Sequence, residues 1–256
     1  MFADTHAHLD LEDFDADRDD VIRRAADAGV GFILNPGIHL ASTRAAVALA
    51  ERHEIVRAAA GIHPNETARA RPGDMNEIRR IVSNERVVAI GETGLDFYRD
   101  RAPRDIQLRY FLAHLELAVE TGLPVIIHFR SVGYDGVELA GVERFAGIRG
   151  VFHCFSGSRE FARRATGMGF YLGFDGPVTY PGSDRPAVMR DLPSDRLLIE
   201  TDCPFLTPQS RRGTRNEPAY VAEVAGAVAA ARGISSEEAA DMTWRNACEL
   251  FGIGGR

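Results

Sequence analysis

The chain contains no lysine: all 30 of its basic residues are arginine. Any mechanism that rests on a lysine side chain is closed to it. Cysteine is almost as scarce. Cys154, Cys203 and Cys248 are widely spaced and make neither a disulfide framework nor a zinc-finger pattern. That pattern predicts a reduced, cytoplasmic protein. No run approaches the ~18 apolar residues that a membrane span needs, and the opening MFADTHAHLD is too acidic and polar for a secretory signal. No membrane association is expected. Positive charge is in deficit as well, with 37 acidic against 30 basic residues and a formal net charge of -7. Such a balance argues against nucleic-acid binding by charge alone. It leaves room for an enzyme that meets a nucleic-acid end through metal cations.

What is present is ordinary globular composition: 256 residues, 45% hydrophobic and 26% charged. Disorder and collagen-like repeats are excluded. Short apolar runs alternate with segments of helical period. The runs are Phe2–Asp4, GFILNPG, VRAAAGIHP, VVAIGETG, PVIIH, GVFHCF, FYLGFDGP and RLLIETDCP. Between them, DADRDDVIRRAADAG reads as a helix with Val21, Ile22 and Ala25 on one face and Gly29 as its stop. Further helices are expected near residues 40–52 and 74–84. RDIQLRYFLAHLELAVETG is the clearest, with Leu108, Leu112, Leu115 and Val119 at helical spacing and Gly122 ending it. The last helix opens on a capping box, Ser235 with Glu238. Eight strands at about 32 residues per repeat predict an α/β fold, a single (β/α)8 TIM barrel spanning residues 1–256 as one domain. A doubly wound sheet fits less well, because no glycine-rich phosphate loop is present.

The chain has eight histidines. His6, His8, His63, His128 and His153 all fall at the C-terminal ends of the expected strands, which form the active-site face of a barrel. Glu92 and Asp202 end two others. Strand alternation puts His6 and His8 on the same side. It also pairs Ile90 with Glu92, Ile126 with His128, and Val151 with His153. Four imidazoles and two carboxylates (His6, His8, Glu92, His128, His153 and Asp202) suit divalent zinc, manganese or magnesium, as one ion or two. Burying six such groups without a partner would be costly. Cys154 and Cys203 each adjoin a ligand, so alternation turns them away, and both read as packing residues. His39, His53 and His114 read as structural or solvated.

Thr5-His6-Ala7-His8-Leu9-Asp10, Gly61-Ile62-His63-Pro64 and Gly91-Glu92-Thr93-Gly94-Leu95-Asp96 resemble motifs of the TatD-type metal-dependent deoxyribonucleases, in the amidohydrolase superfamily. So do His153-Cys154-Phe155-Ser156-Gly157, Glu200-Thr201-Asp202-Cys203-Pro204-Phe205-Leu206 and Arg215-Asn216-Glu217-Pro218. Together they cover nearly the whole chain. The resemblance implies that His6, His8 and Asp202 hold one metal, that His128 and His153 hold the other, and that Glu92 bridges. Many superfamily relatives bridge with a carboxylated lysine, and a chain without lysine is outside that subclass. Three positions depart from the commonest pattern: Asn65, Phe129-Arg130-Ser131 and Asp175. None removes a ligand; all three are expected near the mouth of the barrel, where they bear on substrate preference.

The activity implied is hydrolysis of DNA phosphodiesters by metal-activated water, acting on single-stranded ends, with DNA or RNA as the polymer. Asp202 and Glu92 are the candidate catalytic carboxylates. His63 and Arg130 are candidate substrate contacts, the arginine as a bidentate phosphate clamp. No obligate protein partner is expected. A metal-dependent ester or amide hydrolase, acting for example on an aminoacyl-tRNA, is the alternative. A non-catalytic metal scaffold is the third reading.

Overall fold

The structure is a computed structural model that describes residues 1–99, 101–132, 141–142, 144–145 and 147–254. Its strands are β1 (Phe2–Asp4), β2 (Val30–Pro36), β3 (Val56–Ala60), β4 (Val87–Asp96), β5 (Val125–Arg130), β6 (Gly150–Phe152), β7 (Tyr171–Phe174) and β8 (Leu197–Ile199). The α-helices interleaved with them are α1 (Arg18–Asp27), α2 (Leu40–Arg52), α3 (Asp74–Ile81), α4 (Arg104–Thr121), α5 (Arg159–Gly167), α6 (Arg185–Asp191), α7 (Val221–Arg232) and α8 (Ser236–Phe251). Sheet order follows chain order from β1 to β8. The fold class is the (β/α)8 TIM barrel, as the eight-run pattern predicts.

The chain divides into two compact units, Met1–Asn35 with Cys154–Arg256, and Pro36–His153. In the first, β1 runs parallel to β2 with Ala3 opposite Phe32, and β7 runs parallel to β8 with Gly173 opposite Leu198. The first and last strands also join there. Thr5 N donates to Ile199 O at 3.2 Å, and Asp202 N donates to His6 O at 2.8 Å. In the second unit, β3, β4, β5 and β6 follow one another in parallel register. β2 and β4 are almost wholly buried, the polar Asn35, Glu92, Thr93 and Asp96 included.

Helix ends follow local chemistry. Gly122 closes α4 in the left-handed conformation, at φ 70°, and the Ser235–Glu238 capping box is formed at the start of α8. The buried stripe of α4 differs from the expected one. Gln107, Phe111, His114, Leu115, Leu117 and Ala118 are buried, whereas Val119 is 51% exposed. Two polar residues join this stripe because each finds backbone partners. His114 Nε2 accepts from Ile62 N at 3.0 Å, and its Nδ1 lies 2.7 Å from Tyr110 O. The Gln107 amide donates to Ala102 O at 2.8 Å and its oxygen accepts from Asp96 N at 2.8 Å. A polar group whose hydrogen bonds are complete can be buried at small cost. Hydrophobicity alone therefore places the stripe a fraction of a turn away.

Candidate metal centre

In the first unit, β1 stops at Asp4, yet alternation carries on. Ala7 bridges Cys203 in parallel, Ala7 N donates to Leu34 O at 2.9 Å, and His8 N donates to Cys203 O at 2.8 Å. This extension keeps His6 and His8 on one side. Their Nε2 atoms lie 3.2 Å apart, and both face Asp202 Oδ1, at 3.6 Å and 3.5 Å. Asp202 has φ 54°, left-handed backbone that a non-glycine residue adopts only where its surroundings impose it. Asp4 lies beneath this group. Its carboxylate accepts from His6 N at 3.3 Å, from Thr201 N at 2.9 Å and from Thr201 Oγ1 at 2.6 Å. Asp4 thus links the backbones leading to His6 and to Asp202. Burial pushes its carboxyl up to about 8, against the opposing effect of the Thr201 bonds.

In the second unit, three imidazoles converge on one carboxylate oxygen. Glu92 Oε1 lies 2.9 Å from His128 Nδ1, 2.9 Å from His153 Nε2 and 3.4 Å from His63 Nε2. His128 Nδ1 and His153 Nε2 are 3.0 Å apart. The register of β4 against β5 shifts between Ile90 and Thr93, next to Glu92. Gly91 permits that shift. Its φ is 136°, and a Cβ there would meet Ile126 O at 2.8 Å. His63 lies beyond β3, where it caps the 3-10 turn Pro64–Arg69. Its Nδ1 accepts from Asn65 N at 3.0 Å. A neutral His63 therefore carries its proton on Nε2, the nitrogen that faces Glu92.

The donors themselves test whether a metal suits these residues. A neutral imidazole offers one N–H and one lone pair. Within each unit, a pair of rings whose nitrogens stand 3.0–3.2 Å apart lies beside that unit's own carboxylate oxygen, so nitrogen and oxygen donors gather there. A divalent cation that accepts mixed nitrogen and oxygen ligands fits that donor set. His63, Glu92 and His128 have ligand-type atoms within 4.8 Å of one another; Glu92 and His128 fit such an ion, whereas the His63 nitrogen that faces them carries its proton.

The model of the family described as TatD related DNase matches residues 3–252. The chain belongs to this family. It is 43% identical over 254 residues to an uncharacterized metal-dependent hydrolase, YabD, of Bacillus subtilis, covering 99% of this chain and all of the relative. It is 34% identical over 258 residues to a 3'-5' ssDNA/RNA exonuclease TatD of Shigella flexneri, covering 98% of each. Among solved structures, a TatD homologue of Escherichia coli K12 matches with a TM-score of 0.92 at 32% identity, over 99% of this chain and 98% of that one. This TatD-family chain is thus a metal-dependent hydrolase. No helix among its described residues is long and apolar enough to cross a membrane.

The structure of this TatD-family protein also adds residues that the sequence pattern alone did not single out. Asp96 ends β4, and its Oδ2 lies 3.4 Å from His128 Nε2. Burial pushes its carboxyl up, but bonds from His128, Arg99 N and Asn65 outweigh that and hold it below the usual carboxylate range. Burial pulls His128 down, while Asp96 and Glu92 more than reverse the effect, so its ring is held above its ordinary value. The signal was in plain view, as the last letter of Gly-Glu-Thr-Gly-Leu-Asp. Asn65, one of the departures from the family pattern, donates from Nδ2 to Asp96 Oδ2 at 2.9 Å. Asp175 is fully buried, 3.2 Å from an Arg185 nitrogen, with burial pushing its carboxyl up to about 6. Both departures therefore have structural partners.

Asn216, in the Arg215-Asn216-Glu217-Pro218 motif, holds the turn after β8. Its Nδ2 donates to Thr201 O at 2.8 Å and to Phe205 O at 2.6 Å, clamping the turn that carries Asp202. Glu200 accepts from Cys154 N at 2.5 Å and from Thr5 Oγ1 at 3.3 Å. Burial pushes the Cys154 and Cys203 thiols well above their ordinary values, so neither is an activated nucleophile. The Arg130 guanidinium lies over the Tyr98 ring, 4.4 Å from its centroid.

Proposed function

We propose that this hydrolase cleaves phosphodiester bonds of DNA, removing nucleotides from single-stranded ends, with RNA as a further substrate. The convergence of imidazole and carboxylate donors in each unit carries this reading. His6, His8 and Asp202 would hold one divalent cation, and Glu92, His128 and His153 another. The 98% coverage by a relative named as a 3'-5' ssDNA/RNA exonuclease supports the choice of polymer.

A cation at such donors supplies Lewis acidity and an activated water. The chain's own groups do the rest. Asp202 orients the attacking water and takes up its proton at Oδ1. Glu92 is the catalytic carboxylate of the second cluster, placing His128 and His153 through its Oε1. His63 contacts the scissile phosphate by donating a hydrogen bond from Nε2, the nitrogen left protonated by its bond from Asn65 N, and the leaving oxygen takes its proton from solvent water. Arg130, oriented by stacking on Tyr98, clamps a phosphate through its paired N–H groups.

The experiment is cleavage of an end-labelled single-stranded DNA oligonucleotide with manganese or magnesium, against EDTA and His128→Ala controls. A metal-dependent ladder absent from both controls is expected, and its direction gives the polarity. Metal-loaded protein that leaves the oligonucleotide intact but hydrolyses an ester or amide would overturn the nuclease reading.

A further inference from the structure

Few large apolar side chains stay exposed among the described residues: Met1, Tyr98, Val119 and Phe205. Met1 is the first residue and Val119 lies on the outer side of α4. Phe205 is different. It is 52% exposed, and its ring centroid stands 6.4 Å from that of His8, the two planes inclined at 64°. What sets Phe205 apart is its place, an exposed ring held against a residue of the candidate metal centre.

The turn that presents this ring is built rather than loose. Phe205 N donates to Asp202 O at 3.0 Å, and Phe205 O accepts from the buried Asn216 amide at 2.6 Å. Asp202 and Leu206, on either side, both have left-handed backbone, at φ 54° and 53°. Two non-glycine residues in that conformation within five positions mean that surrounding contacts dictate the turn. The same backbone that sets the Asp202 carboxylate also sets the Phe205 ring.

We propose that Phe205 is a stacking platform for the nucleobase of the nucleotide whose phosphate is bound at the His6, His8 and Asp202 cluster. This rests on the nuclease reading. In a nucleotide the sugar separates base from phosphate, a span of the same order as that between the His8 and Phe205 rings. A phenyl ring offers a π face and no hydrogen-bonding group, so it accepts any base and reads none. The platform therefore holds the terminal nucleotide in place without imposing sequence preference.

The test uses the full-length, manganese-loaded protein and end-labelled single-stranded DNA. One oligonucleotide has natural termini; the other carries a tetrahydrofuran abasic residue at each end. For the wild type, kcat/KM of the first cleavage is expected to fall about tenfold on the abasic substrate, mostly through KM. Phe205→Ala should lower the natural substrate to the abasic value and abolish the difference between them. Phe205→Trp should restore it. Wild-type protein that cleaves both oligonucleotides equally would overturn the platform and leave the nuclease standing. A Phe205→Ala protein that keeps the full tenfold discrimination would do the same. Cleavage of neither by metal-loaded protein would overturn both readings.

Discussion

Replacing Asn216 tests how the turn after β8 is held. The residue is fully buried, and its amide donates to two main-chain carbonyls, Thr201 O at 2.8 Å and Phe205 O at 2.6 Å. Asn216→Ala removes both bonds, together with the one its Oδ1 accepts from Glu217 N at 3.0 Å, and leaves both carbonyls facing an apolar methyl. Each lost bond costs about 1 kcal/mol, and each buried acceptor left unsatisfied adds to that, for a total of about 3 kcal/mol. For a chain of this length that corresponds to a fall in Tm of roughly 6–12 °C. Asn216→Asp keeps the shape but turns an oxygen toward both carbonyls, so it should be at least as destabilised. Urea unfolding measures the free energy, and metal-dependent turnover well below Tm measures the effect on Asp202. Turnover should fall by a larger factor than stability alone explains, because the clamped segment carries both Asp202 and Phe205. An Asn216→Ala protein within about 0.5 kcal/mol of wild type would refute the clamp.

Asp202→Asn should abolish turnover while circular dichroism and Tm show the fold intact; full turnover in this variant would remove Asp202 from catalysis. His114 gives a pH dependence. Burial lowers its pKa from 6.5 to about 4 in the folded chain, so between those values the unfolded chain binds more protons. Its contribution is complete above about 6.5 and is lost as pH falls toward 4, a range worth about 3 kcal/mol. Between pH 7 and 4.5, wild type should lose about 2–3 kcal/mol more in urea unfolding than His114→Gln, and parallel losses would contradict it. Ser235→Ala breaks the capping box at the start of α8 and should cost about 1 kcal/mol, read from the shift in urea midpoint.

The repeat of apolar runs and helical segments carries the barrel, because strands buried on both faces are mostly apolar. That signal is local and survives in one sequence. So do the caps at Gly122 and Ser235, where the residue type itself supplies the left-handed backbone or the side-chain acceptor. The buried stripe of α4 was less legible. His114 and Gln107 are polar in sequence and become core residues only through backbone partners, Ile62 N and Tyr110 O for His114, Asp96 N and Ala102 O for Gln107. Strand alternation placed His6 with His8, although the regular strand ends at Asp4, because the Ala7–Cys203 bridge prolongs the pleat. In β4 the register against β5 shifts at Gly91, a local irregularity that the period-2 pattern does not announce.

By itself, the sequence determined which groups are available: nitrogen and carboxylate donors at strand ends, no lysine, and motifs of a metal-dependent hydrolase family. Residue chemistry and its period along the chain suffice for that. Only tertiary structure decided which donors converge, that Asp96 backs His128, that Asn216 clamps the Asp202 turn, and that Phe205 stays in water beside His8. Those facts depend on hydrogen bonds between segments up to about two hundred residues apart, such as Thr201 to Asp4. No local pattern encodes a distance between such segments; packing and backbone pairing set it.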